Sequence, residues 1–211
     1  MELKNCIFDM DGTLVDSMGC WQDAERDFLI RHGATEALDL NEILELAKPL
    51  PLIQSSALFI SRLGLSYTPE QGRSEIMAAM EQHYRQDVQP KPGVTEFLAG
   101  LKRQGAHMCV ATATPRYLVE ICLSRLELLP YFDFFLTCDD VSAGKDHPDI
   151  FFAAAKRLHA APAETAVFED SLQAAQTAGA AGFYTIGIYD PSGADYWEQL
   201  SAVVDETRLH W

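Results

Sequence analysis

The run Cys-Ile-Phe-Asp-Met-Asp-Gly-Thr-Leu-Val-Asp-Ser, residues 6–17, constrains this chain more than any other stretch. Three apolar residues, Cys6, Ile7 and Phe8, end at Asp9, and a second carboxylate, Asp11, follows two positions later. Gly12 and Thr13 then turn the chain, and Leu14 and Val15 lead it away. A short apolar run bounded by turn signals reads as a buried strand, here one that delivers two acids at its carboxyl end. Ligands of open α/β sheets bind at that edge. Two carboxylates held close together repel each other unless a cation sits between them. The pair therefore points to a divalent metal site in which one acid also does chemistry. Taken alone, Asp-x-Asp-Gly also fits a turn or a helix N-cap.

A chain of 211 residues is long for one domain and short for two full ones, so a core with a smaller insertion fits best. Apolar residues make up 48% of it, which is enough for a substantial core and rules out a disordered protein. The net charge of −15, without a basic run, counts against nucleic acid and membrane surfaces as partners. Met1-Glu2-Leu3-Lys4 leads straight into the first strand, leaving no room for a signal peptide, and no apolar run is long enough to span a bilayer. The five cysteines show no Cys-x-x-Cys spacing, and three sit in strand-like runs. They read as buried hydrophobes of a reduced, cytoplasmic protein.

Residues 17–87 carry helical periodicity without a strand. A first helix holds Trp21, Phe28 and Leu29 and stops at Gly33. A second, around Ile43–Leu46, is closed by Lys48-Pro49 and Pro51. A third spans Leu52 to Leu63, ended by Gly64. A fourth opens at Thr68-Pro69, with Thr68 as N-cap, and reaches about Arg85. Gln89-Pro90-Lys91-Pro92-Gly93 reads as the return linker. Beyond it, helices and strands alternate, with strands at 107–111, 134–138, 165–168 and 183–188. The expectation is an α/β fold: a Rossmann-like parallel sheet core, 1–16 and 88–211, with a small all-α domain inserted after the first strand.

Each later strand can be asked what stands at its carboxyl end. The second ends Thr112-Ala-Thr114-Pro115, where Thr114 is the better helix N-cap and Thr112 is left free to bond a ligand. The third leads to Gly144-Lys145-Asp146-His-Pro148-Asp149, which places an ammonium near Asp9. The fourth ends Phe168-Glu169-Asp170-Ser171, a second pair of acids of the kind that a hard cation takes as oxygen ligands. The six histidines show no paired ligand spacing, which counts against a His-based metal site.

These four strings, in this order, resemble the motifs of the haloacid dehalogenase-like hydrolase superfamily, in its phosphatase and β-phosphoglucomutase-like branch with a helical cap. The first matches Asp-x-Asp-Gly-Thr-Leu-x-Asp-Ser nearly letter for letter, and Phe-Glu-Asp-Ser before an Ala-rich helix matches the fourth. In the third, Asp146 replaces the usual Pro, which puts only the loop's rigidity in doubt. The resemblance implies a Mg²⁺-dependent phosphohydrolase acting on a small phosphorylated metabolite, a monomer or weak homodimer. Asp9 would be the nucleophile and Asp11 the general acid and base. Lys145 and Thr112 would bind the phosphoryl oxygens. Mg²⁺ would be held by Asp9, the backbone carbonyl of Asp11, and Asp170, with Glu169 in support.

Two other readings stay open. A sugar-phosphate mutase would use the same nucleophile, but the Ser-Arg-x-x-Ser-Leu substrate loop of such mutases lacks its Arg in the stretch Leu46–Ser56. A non-catalytic binding protein would have lost Asp9, Asp11 or Lys145, and all are present. The two short crossings between core and insertion suggest a hinge for a closing cap, with Lys48 in its 48–54 loop as a substrate contact.

Overall fold

The central strand β1 (Asn5–Phe8) is three-quarters apolar, and Cys6, Ile7 and Phe8 are wholly buried. In the computed structural model, which describes residues 3–34, 40–48 and 50–211, this strand lies in the middle of a sheet. Met1, Glu2 and Pro49, invoked above, lie outside the described residues. After β1 come β2 (Val15–Asp16) and four helices: α1 (Met18–Arg31), α2 (Leu40–Ala47), α3 (Leu52–Leu63) and α4 (Pro69–Gln86). The chain returns through β3 (Gln89–Pro90) into α5 (Val94–Arg103), β4 (His107–Thr112), α6 (Arg116–Arg125) and β5 (Phe134–Thr137). Then follow α7 (Cys138–Val141), α8 (Asp149–Arg157), β6 (Thr165–Glu169), α9 (Leu172–Ala180), β7 (Tyr184–Ile188), α10 (Trp197–Val203) and β8 (Glu206–Arg208).

The sheet order is β5-β4-β1-β6-β7-β8, and every pairing in it is parallel. Parallel strands covered by helices on both faces must be apolar throughout, as Met108–Ala111 and Ala166–Phe168 are. On one face α8 packs Ile150, Phe151 and Ala154 against Ile7, Cys109 and Val167. Register sets the site: Phe8 is level with Val110 on one side and Phe168 on the other. The next residues, Asp9 just past β1 and Glu169 as the last residue of β6, therefore stand side by side at the sheet's carboxyl edge. A hydrogen bond from Asp9 N to Phe168 O, 3.0 Å, carries the ladder one step further.

The chain divides into two compact units, Met1–Ser17 with Val88–Trp211, and Met18–Asp87. Within the helical unit, α4 starts as its sequence dictates. Thr68 and Gln71 close a capping box with Pro69 in the first turn. Gly64 ends α3 in the left-handed region, φ 63°. Phe28, Phe59, Ile76, Met80 and Tyr84 form the buried interior of this unit. Within the sheet unit, the two crossing segments pair as an antiparallel ribbon, Val15 with Pro90 and Asp16 with Gln89. The linker reading of Gln89–Pro90 is thus corrected to a strand, made possible because a two-stranded ribbon tolerates Pro on its edge.

Two further expectations change. Cys138 is not the end of β5 but the first residue of α7, because Asp140 Oδ2 accepts both the amide (2.7 Å) and the hydroxyl (3.1 Å) of Thr137. The short edge strand β8 was not anticipated, since Glu-Thr-Arg shows no apolar pattern.

Candidate active site

Asp9 stands at the end of β1, and its Oδ1 accepts a hydrogen bond from the Lys145 ammonium. The same ammonium donates to Glu169 Oε1, at the end of β6. Lys145 thus bridges the acids of two adjacent strands. Oxygens of Asp9, Glu169 and Asp170 all lie within 4.8 Å of one another, and all three residues are buried. Thr13 Oγ1 donates to Asp170 Oδ1 at 2.9 Å and so aims that carboxylate. Gly12 is required beside it, for two reasons. Its φ is +77°, and a Cβ there would come within 2.4 Å of Asp170 Oδ2.

Electrostatics in this cluster are strained by burial. Burial pushes the Glu169 carboxyl up to about 7 despite Lys145. Burial raises Asp9 too, opposed by Lys145 and reinforced by Asp11. Asp170 is raised well above the ordinary range by burial and by the charges of Asp9 and Glu169. Burial works against the charge on Lys145, but Asp9 and Glu169 overcome it and raise its pKa. One ammonium is bonded to two of these three buried acids, so their ionised forms carry a surplus of negative charge that a divalent cation would neutralise. The donor set, carboxylate oxygens only, fits a hard cation such as Mg²⁺.

The Asp11 carboxylate faces elsewhere. Its Oδ1 accepts from Ser17 Oγ and its Oδ2 from Thr114 Oγ1, each at 2.6 Å. Thr114 therefore does not cap α6. The residue at that position is Pro115, with no side-chain cap bond, and the Thr114 hydroxyl is spent on Asp11. Thr112, buried at the end of β4, accepts from Thr114 N at 3.1 Å, a role that leaves its own proton to donate. The loop around Lys145 is closed by a hydrogen bond from His147 N to Gly144 O, 3.0 Å, so the turn forms with Asp146 in it. Lys48 belongs to the helical unit, where it follows α2 and lies 3.8 Å from Glu45.

Sequence reasoning missed Thr13, Ser17, Thr114 and a buried pair, Lys91 with Asp190. Lys91 Nζ donates to Tyr189 O and lies 2.8 Å from Asp190 Oδ2, an ionic contact. Asp190 stands just past β7; burial, reinforced by the charges of Asp170, Asp190 and Glu169, pushes the Tyr196 hydroxyl up to about 12. The one signal available for Asp190 was its place after a strand; Lys91 had none.

Residues 3–182 match the profile of the family described as haloacid dehalogenase-like hydrolase. The phosphorylated carbohydrates phosphatase of Thermotoga maritima is 28% identical over 184 residues, covering 87% of this chain and 84% of its own length. Hexitol phosphatase B of Escherichia coli K12 is 29% identical over 174 residues, 81% of this chain and 77% of its own. A hydrolase structure from Pseudomonas syringae superposes with a TM-score of 0.75 at 25% identity, over 97% of this chain and 92% of that one.

Proposed function

The chain belongs to the haloacid dehalogenase-like hydrolases and is a phosphatase, and on that footing we propose that it is a Mg²⁺-dependent enzyme for a small phosphorylated sugar or sugar alcohol. The observation that carries this reading is the Lys145 ammonium bridging Asp9 and Glu169, with Asp170 beside them. Asp9 is the nucleophile. It attacks phosphorus as the ester P–O bond breaks, forming an aspartyl-phosphate. Asp11, whose two oxygens are held by Ser17 and Thr114, gives its proton to the leaving alcohol oxygen. It then takes a proton from water, whose oxygen bonds to phosphorus while the Asp9–phosphorus link breaks and phosphate departs.

Lys145 and the Thr112 hydroxyl neutralise and orient the equatorial oxygens, where most of the catalytic work of such transfers lies. Asp9, the Asp11 carbonyl and Asp170 would hold the cation, with Glu169 in support. Mg²⁺, when bound, supplies charge for those oxygens as a Lewis acid. Lys48 serves as a substrate contact of the helical unit, which acts as a cap, and the protein works in the cytoplasm. Hydrolysis is favoured over sugar-phosphate mutation by the missing loop Arg and by the phosphatase names of the relatives.

A panel of phosphorylated sugars and sugar alcohols, assayed for inorganic phosphate with Mg²⁺ and with excess chelator, tests the proposal. Metal-dependent release from one of them is expected. Full activity in chelator would remove the metal role, and isomerised sugar phosphate without free phosphate would make the enzyme a mutase.

A further inference from the structure

The last turn of chain reaches the loop that carries the first acids. Trp211 Nε1 donates to the main-chain carbonyl of Thr13 at 3.1 Å. Thr13, wholly buried, passes its own hydroxyl to Asp170 Oδ1 at 2.9 Å. A single residue thus links an indole donor on one side to a carboxylate of the acid cluster on the other. The indole ring also stacks on Phe168, with centroids 5.6 Å apart and planes 27° from parallel. Phe168 stacks in turn on Phe8, at 4.4 Å and 14°. These two rings immediately precede Glu169 and Asp9.

Phe97 completes a three-ring cluster, its centroid 5.0 Å from the indole and 5.8 Å from Phe168. Gly93 admits the main chain of Trp211: its φ is +90°, and a Cβ there would stand 3.0 Å from the Trp211 carbonyl oxygen. A site that needed only an apolar plug would be served by Phe. The indole N–H adds a directional bond to a buried carbonyl, and that bond falls on the residue that orients Asp170.

We propose that Trp211 is a positioning residue for the acid cluster, its N–H holding the Thr13 peptide so that the Thr13 hydroxyl keeps Asp170 turned toward the cation. The proposal rests on the metal reading above. Its test is Trp211→Phe in the full chain, which keeps a ring in the stack and deletes the donor. The dissociation constant for Mg²⁺, read by calorimetry, should rise about fivefold, the low end of the coupling that one group exerts on binding at another. The thermal midpoint of the metal-free protein should fall by only a few degrees, because the Thr13 carbonyl loses its donor.

A Mg²⁺ constant unchanged in the folded variant would mark a purely structural role and overturn the proposal. Wild-type protein that binds no Mg²⁺ would sink the metal reading itself, a result distinct from an unaltered variant. A second measurement leaves Trp211 in place. With Trp21 and Trp197 replaced by Phe, Trp211 is the one indole of the three left to emit. The proposal has the indole N–H bond tighten as the cation binds, so Mg²⁺ should shift that emission along the calorimetric titration. Emission unchanged through saturation would overturn the proposal even if Trp211→Phe does not fold.

Discussion

The Thr114 hydroxyl donates to Asp11 Oδ2 at 2.6 Å, joining residues 103 positions apart in the chain. A carboxyl that must give a proton to one oxygen and take it from another needs a held direction, and this bond supplies it together with Ser17. Thr114→Val keeps the shape and deletes the donor. We expect the turnover number to fall roughly ten- to a hundredfold, at or below the lower end of what general acid–base catalysis contributes because Ser17 still holds Asp11, with KM and thermal midpoint nearly unchanged. Steady-state kinetics on an alkyl phosphate checks it; unchanged turnover would show that Asp11 is not oriented through Thr114.

Asp9→Asn removes the attacking charge at constant size. Turnover should drop by about three orders of magnitude or more while the protein folds. The variant also removes one acid from the cluster that Lys145 neutralises, so its metal-free form should not be less stable than wild type. Residual activity above a small fraction in purified protein would displace Asp9 from the nucleophile's role.

The raised carboxyls make a signed pH prediction. Glu169 sits at about 7 in the folded chain, from an ordinary 4.5, because it is buried. A raised folded value means that its stabilisation of the metal-free protein is complete below 4.5 and is lost as pH rises through about 7. A cation competes with the same protons. Mg²⁺ affinity should therefore climb as pH rises through about 7, by up to about tenfold per unit for each proton displaced. Calorimetric titrations across that range decide it, and affinity independent of pH would show that Glu169 and its neighbours are already ionised.

Lys91→Met leaves Asp190 buried without its cation. Breaking a buried pair from one side costs about 3–5 kcal/mol, which for a chain of this size lowers the midpoint by roughly 10 °C. Adding Asp190→Asn should recover most of the loss, because the uncompensated charge is gone. A single variant as stable as wild type would show that the pair contributes nothing.

The placements that were legible in the sequence share one property: their signal is carried within a few positions. Asp9 follows its own strand, Glu169 and Asp170 follow theirs, and Gly64 and Thr68 end and begin helices by local backbone chemistry. Thr114 was misread because its local context, a Thr before Pro, is a good capping signal. A partner 103 residues away outbid the cap. Lys91 looked like linker because Pro and Gly surround it, yet its ammonium bonds the Tyr189 carbonyl across 98 residues.

The alternation of apolar runs with turn residues was enough, by itself, to determine the parallel core, the helical insertion and which strand ends bear acids. Local sterics and burial act over a few residues, so they are written in the order of the letters. Tertiary structure alone decided that Lys145 bridges Asp9 and Glu169, that Thr13 and Trp211 stand behind Asp170, and that Asp11 is held by Ser17 and Thr114. Most of those bonds join segments distant in sequence, and their formation depends on sheet register and on the desolvation of charge, quantities that exist only once the chain has folded.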